Sequence, residues 1–242
     1  MPKLLLLDMD HTLCDTQSAD EVGTQHLIGL LQDVASLNSG EAEAMAHHYM
    51  GILYQPQEGE EWLKKEGEEE GAYRGRLLQL CLAKRVNKKL AFSTCCGLIE
   101  DLMTKRFNAF DFFEGVPQLL YTLRKTYRTV VLSNGPLYSQ QPKADKISIG
   151  DHVDRVVLAG AHPWSKPDPR IFQMVLREEN YKASEALHVG DSLGSDIAGA
   201  IAAKIPNVWI NPARKSHPRE ITPNHILESV LDLPKLLIEL SE

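Results

Sequence analysis

The chain has 242 residues, 43% of them apolar and 24% charged, with a formal net charge of −7. That length suits one large core, or a core plus a smaller second domain, and the composition argues against wholesale disorder. The acidic balance disfavours nucleic acid and an anionic membrane surface as main partners, although local cations can still bind a small anion.

Residues 4–7 are four leucines, followed at once by Asp8-Met9-Asp10-His11-Thr12. Such a run predicts a buried strand of a parallel sheet. Side chains alternate along an extended chain, so Asp8 and Asp10 emerge on the same side. Two acids this close repel unless a cation sits near them, and a divalent metal is the simplest remedy. The run is too short for a leader's apolar region or a membrane span, so a cytoplasmic, reduced setting is expected. Cys14, Cys81, Cys95 and Cys96 have neither metal-ligand spacing nor a disulfide framework, and are expected to be buried hydrophobes or surface thiols.

Residues 18–110 have helical period and almost no strand pattern. Leu27, Leu30, Leu31 and Val34 sit at helical spacing after a candidate cap, Ser18, and residues 42–53, 73–86 and 98–107 repeat the behaviour. Gly40, Gly59, Gly67 and Gln55-Pro56-Gln57 punctuate these helices. Residues 58–70 hold seven glutamates, partly offset by Lys64 and Lys65, and are expected to form a solvated face or loop. His47, His48 and His162 show no metal spacing and are expected at the surface.

From Phe112 onward helix and strand alternate. Strands are predicted at 129–132, 155–158, 186–189 and 208–210, and helices at 116–125, 169–177 and 197–203. Interleaving of this kind implies right-handed crossovers, hence an α/β fold with a doubly wound parallel sheet that includes residues 4–7. The expected domains are an α/β core from residues 1–15 and 111–242, and an all-helical insertion from residues 16–110.

Open parallel sheets bind ligands beyond the carboxyl ends of their strands. Here those ends carry Asp8 and Asp10, then Ser133-Asn134-Gly135, then Ser165-Lys166-Pro167-Asp168-Pro169, then Gly190-Asp191-Ser192 with Asp196 a turn later. If the strands are neighbours, four carboxylates, a hydroxyl and an ammonium meet in one crevice. Carboxylate oxygens suit Mg²⁺.

These four segments, DMDHT, TVVLSNG, SKPDP and GDSLGSD, resemble in order the motifs of the haloacid dehalogenase superfamily of phosphohydrolases. The resemblance covers the whole α/β part; the helical insertion matches the family's α-helical cap in position and class. It implies Asp8 as nucleophile forming an aspartyl-phosphate, and Asp10 as general acid and then base. Asp8, Asp191 and Asp10 (the last by its backbone carbonyl) are the implied Mg²⁺ ligands, with Asp196 behind them holding a metal water or Lys166. Ser133 and the amide of Asn134 would hold phosphoryl oxygens, and Lys166 would neutralise charge on Asp8 and the transferring group. The dehalogenating branch lacks a carboxylate at the position of Asp10, so phosphoryl transfer is implied. Thr12 is either a phosphate-loop residue or the cap of the next turn. His11, unusual between Asp10 and Thr12, is either a bystander or a substrate contact.

The cap is expected to set the substrate, with Asp15, Thr16 and Gln17 at its hinge and rim. The segment VWINPARK, the proline-rich loop and the closing leucine-rich helix are loosely similar to the pyrimidine 5′-nucleotidase-like and N-acylneuraminate 9-phosphatase-like branches. The expected function is a Mg²⁺-dependent phosphatase of a small phosphorylated metabolite, first a nucleoside 5′-monophosphate. The alternatives are a sugar-phosphate or phosphoglycolate-type phosphatase, a phosphomutase of the same fold, and a non-catalytic binding protein. A monomer or homodimer is expected.

Overall fold

The computed structural model of the protein describes residues 1–54 and 69–241. The chain divides into two compact units, Met1–Thr16 with Asp111–Glu242, and Gln17–Phe110.

The first unit is built on a six-stranded sheet: β1 (Leu4–Leu7), β2 (Arg128–Ser133), β3 (Arg155–Leu158), β4 (Ala186–Gly190), β5 (Asn207–Ile210) and β6 (His225–Leu227). The order is β3-β2-β1-β4-β5-β6 and every neighbouring pair is parallel. All carboxyl ends therefore point the same way. The four leucines of β1 have no exposure, which explains their unbroken apolar run: a central strand is covered on both faces. Leu4 and Leu6 join Val130, Leu132 and Val157 in a core layer with Ile171, Phe172 and Val175. The chain leaves β1 towards β2 and β3, then crosses back to β4 on the other side of β1. That switch of direction opens a crevice at the strand ends.

The described residues of the second unit form α1 (Thr16–Ala35), α2 (Ser39–Tyr54), α3 (Glu70–Val86) and α4 (Phe92–Ala109), with no strand among them. Helix α1 begins at Thr16, so Ser18 lies inside its first turn and is not the expected cap. Of the leucine stripe, Leu27 and Leu31 are buried whereas Val34 is 42% exposed. A reciprocal pair opens α2: Asn38 Oδ1 accepts from the amide of Glu41 at 3.0 Å, and the amide of Asn38 donates to Glu41 Oε2 at 3.1 Å. Tyr49 ties α2 to α3 by donating to the carbonyl of Arg74 at 3.2 Å. Arg106 of α4 pairs with Asp20 of α1. Gly59, Gly67, Gln55-Pro56-Gln57 and the acidic stretch up to residue 68 lie outside the described residues.

Around the sheet run α5 (Val116–Leu123), α6 (Leu137–Lys146), α7 (Ile149–His152), α8 (Pro169–Glu178), α9 (Ala198–Ala202) and α10 (Leu233–Glu239). Asp168 caps α8 by accepting from the amide of Arg170, with Pro169 in the first turn, where its missing amide is tolerated. The expected helix at 197–203 is entered through a π turn, Leu193–Ile197. Helices α6 and α7 and strand β6 were not anticipated.

A Cβ at Gly199 of α9 would fall 2.5 Å from the Phe172 ring, whereas one at Gly29 of α1 would meet nothing within 4 Å. Gly199→Ala is expected to lower stability by about 1–3 kcal/mol through overpacking. Gly29→Ala is expected to raise it by about 0.5–1 kcal/mol through helix propensity. Urea unfolding of the two variants checks the opposite signs.

Candidate active site

Asp8 follows β1 directly, its amide bonded to the carbonyl of Val189 on β4 at 2.9 Å. Its carboxylate is buried and has two partners: Lys166 Nζ donates to Oδ1 at 2.5 Å, and Thr12 Oγ1 donates to Oδ2 at 3.2 Å. Thr12 thus touches the first acid of its own loop.

The buried Lys166 ammonium donates to three acceptors: Asp8, the carbonyl of Leu132 at 2.7 Å and Asp196 Oδ1 at 2.7 Å. Three protons meet three oxygens, so the group is fully committed. Burial alone would lower its pKa, but Asp196 and Asp8 outweigh that and raise it, so it stays charged. Its backbone is pinned by the side chain of Asn134, which donates to the carbonyl of Lys166 at 2.7 Å and accepts from its amide at 2.9 Å. Asn134, expected for its amide alone, also staples the loops after β2 and β3 by its side chain.

Asp196 sits in the π turn and is fully engaged. Besides Lys166 it faces His188 Nε2 at 3.0 Å and accepts from the amide of Ser192 at 3.0 Å on Oδ2. Burial opposes its charge, yet Lys166 and His188 hold its carboxyl well below the usual range. Buried His188 is itself shifted down, chiefly by desolvation, so the neutral ring donates from Nε2. The turn approaches β4 so closely that a Cβ at Gly190 would lie 2.3 Å from Asp196 Cγ. Trp209 of β5 donates from its indole to the carbonyl of Asp191 at 2.7 Å and so steadies that loop.

Oxygens of Asp8, Asp191 and Asp196 all lie within 4.8 Å of one another. At that spacing two full charges repel by about 3 kcal/mol even at an effective dielectric of 20. Three carboxylates face one ammonium, so two negative charges are left unbalanced. The consequence is visible in the acids: burial and Asp196 push Asp191 up to about 6. Burial also drives Asp8 well above its ordinary value, with Asp196 and Asp191 adding to the push against Lys166. A hard, oxygen-only donor set that lacks two positive charges fits a divalent cation of the Mg²⁺ kind.

Asp10 stands in a different environment although it is two residues from Asp8. It is half-buried, and its Oδ1 accepts from Lys143 Nζ at 2.6 Å and from Thr16 Oγ1 at 2.7 Å. Desolvation raises its pKa, but Lys143, Thr16 and Gln140 together bring it below the usual value. Thr16, expected at the rim, belongs to the Asp10 carboxylate. Ser133, at the end of β2, donates to Gln140 Oε1 at 3.2 Å. His11 has positive φ, is exposed, and lies near enough to Asp191 to work against the rise of that acid's pKa. The amide of Asp15 donates to the carbonyl of Asp111 at 3.0 Å, where the chain leaves the sheet unit and returns to it. His47 is exposed, while His48 and His162 are half-buried. All four thiols are free, and burial pushes Cys14 far up and Cys95 to about 11, so neither supplies a thiolate.

A profile describing haloacid dehalogenase-like hydrolases matches residues 2–204. The chain belongs to this family. N-acylneuraminate-9-phosphatase of Homo sapiens is 28% identical over 97% of the chain and 93% of its own length. Pyrimidine 5′-nucleotidase YjjG of Escherichia coli is 30% identical over 51% of the chain and 55% of its own length. Bacillus subtilis YfnB, solved bound to magnesium, shares the fold with a TM-score of 0.73 and 20% identity over 98% of each chain. No helix of the hydrolase among the described residues is long and apolar enough to cross a membrane.

The residues missed by sequence reasoning are Lys143, Gln140, His188 and Trp209. A histidine in the apolar run Ala186-Leu187-His188-Val189 was a usable signal. Residues 137–146 offered none: they are polar and contain Pro142.

In the metal-free hydrolase, Lys166→Met removes the cation from a buried pair and is expected to cost about 3–5 kcal/mol. Asp191→Asn should do the reverse. Because the folded-state pKa of Asp191 is raised to about 6, its ionisation makes the fold less stable as pH rises from about 4 through 6. The asparagine variant should be the more stable at pH 7 and should lose part of that pH dependence. Chemical denaturation with a chelator present, across pH 4–8, tests both signs.

Proposed function

We propose that this hydrolase is a Mg²⁺-dependent phosphatase of small phosphomonoesters, working through an aspartyl-phosphate on Asp8. The observation that carries the reading is the contrast between two acids in one loop. Asp8 lies against Lys166 and the carboxylate cluster, whereas Asp10 is served separately by Lys143 and Thr16. Two carboxyls in unlike environments suit two roles, nucleophile and acid/base.

In the first step an oxygen of Asp8 bonds to phosphorus as the ester P–O bond breaks, and the departing oxygen takes a proton from Asp10, which is ionised beside Lys143 in the free protein and takes that proton up as the phosphoryl anion binds next to it. In the second, water attacks the same phosphorus and gives a proton to Asp10. The Asp8–phosphorus bond breaks, releasing inorganic phosphate. Ser133 and the amide of Asn134 would hold phosphoryl oxygens, with Thr12 and Lys166 keeping Asp8 aimed. Asp8, Asp191 and the carbonyl of Asp10 would hold the Mg²⁺, with Asp196 behind them. When bound, the ion supplies positive charge for the phosphoryl oxygens. The helical unit is assigned the role of cap.

For the substrate class, similarity to the N-acylneuraminate-9-phosphatase extends over nearly the whole chain, so a phosphorylated sugar or sugar acid is the first candidate. A nucleoside 5′-monophosphate is the second reading, favoured by the half-length match to the pyrimidine 5′-nucleotidase. Both classes place the phosphate on an aliphatic oxygen, which needs a proton to leave.

A panel of sugar phosphates, sugar-acid phosphates and nucleoside monophosphates, assayed with Mg²⁺ and with chelator, tests the reading. Phosphate release is expected only with the metal, and Asp8→Asn should lower it by about a thousandfold or more. Mg²⁺ at a hundred times its Kd should stabilise the wild type by about 2.7 kcal/mol and leave Asp191→Asn nearly unmoved. Undiminished turnover by Asp8→Asn would remove the nucleophile assignment.

A further inference from the structure

Helix α6 lies between β2 and β3 and carries no conspicuous motif, yet its buried residues are Ser139, Gln140, Lys143 and Ala144. Gln140 and Lys143 are three residues apart and so share one face of the helix. Their partners are Ser133 and Asp10, neither of which is among the acceptors of Lys166. Gln140 Oε1 accepts from the Ser133 hydroxyl at 3.2 Å. Lys143 Nζ, on a side chain only 3% exposed, donates to Asp10 Oδ1 at 2.6 Å. Covering a lysine this fully is unfavourable unless it is paired, and the pair spans 133 residues of chain. Gln140 is further held by Gly135, where a Cβ would come within 2.8 Å of Nε2.

We propose that α6 is a positioning element of the reaction: Lys143 sets the Asp10 carboxylate at the leaving oxygen, and Gln140 holds Ser133 Oγ beside the phosphoryl group, to whose oxygens the hydroxyl proton turns on binding. The proposal rests on the aspartyl-phosphate reading given above. Lys143 and Thr16 both hold Oδ1 of Asp10, and the Gln140 side chain bonds the same carboxylate, so α6 fixes its orientation through two residues. When Asp10 gives its proton to the ester oxygen it becomes an anion 2.6 Å from an ammonium, and the charge formed is balanced where it forms. Lys143 therefore acts through Asp10 and need not meet the substrate. Gln140 reaches both groups, bonding Ser133 at the phosphoryl side and the Asp10 carboxylate as well.

The two roles separate by leaving group. A p-nitrophenyl ester departs without a proton, whereas an alkyl ester needs Asp10 in both steps. For Lys143→Met, kcat on an alkyl phosphate that the wild type hydrolyses should fall about 100-fold or more, with KM nearly unchanged. On p-nitrophenyl phosphate the first turnover of nitrophenolate should stay within a few-fold of wild type, then slow as water attack on the phosphoenzyme becomes limiting. Lys143→Arg keeps the cation and should recover much of the alkyl-ester rate. Gln140→Leu should lower kcat/KM by about three- to tenfold on p-nitrophenyl phosphate, through the lost bond to Ser133, and by more on the alkyl ester, since its bond to Asp10 is lost too.

Equal losses by Lys143→Met on the two esters, including the first turnover, would overturn the assignment, as would no loss on either. If the methionine variant fails to fold by circular dichroism, the arginine variant decides: an alkyl-selective deficit supports the proposal and a uniform deficit overturns it. Failure of the parent reading shows elsewhere, as undiminished turnover of both esters by Asp8→Asn.

Discussion

The ammonium of Lys166 is the point on which the sheet unit's chemistry hangs. It sits on a loop after β3 and bonds the acid after β1, the carbonyl of Leu132 near the end of β2, and the acid in the turn after β4. One cation thus reaches a partner 158 residues away in the chain and ties it to the others. A buried ion network of this kind adds little net stability, because desolvation offsets the attraction. What it supplies is position. With three acceptors for three protons, neither the lysine nor Asp8 can swing without leaving a buried charge unpaired.

The same network leaves a deficit. Asp8, Asp191 and Asp196 share a single ammonium, and burial together with that surplus raises the carboxyl pKa values at Asp8 and Asp191, while Asp196 is satisfied. The acids that remain unsatisfied are the ones expected from the motifs to carry metal; the one that is satisfied was expected behind them. Asp10 escapes the surplus because Lys143, Thr16 and Gln140 serve it in a different part of the crevice. Neighbouring acids of the Asp-x-Asp segment are therefore chemically distinct, and the distinction comes from their partners.

The parts of the fold legible in the sequence are those with a strong local signal. Four leucines running into two acids could only be a central strand with a polar end, and the five longer strands follow from similar runs. Strand β6 was missed because its three residues, His225–Leu227, are only half covered and follow a proline-rich loop. The start of α1 was placed two residues late because Ser18 resembles a cap, whereas the chain turns helical at Thr16, whose hydroxyl is drawn to Asp10. For the site, residues at strand ends were readable because topology alone gathers them. The contacts of Lys143 with Asp10 and of Trp209 with the carbonyl of Asp191 were not, since nothing in a one-dimensional pattern pairs such distant positions.

Helix α6 shows why that blind spot coincides with function. A helix packed on a sheet ordinarily buries an apolar stripe, and the amphipathic pattern is what identifies it from sequence. Here the covered side chains include a serine, a glutamine and a lysine, and a proline lies between the last two. As a packing element this is poor design: each buried polar group must find a partner or weaken the fold. The partners exist only because Ser133 and Asp10 stand at the ends of neighbouring strands β2 and β1, facing that helix. A local rule broken and then satisfied by long-range pairing is the pattern expected where a structure holds reacting groups.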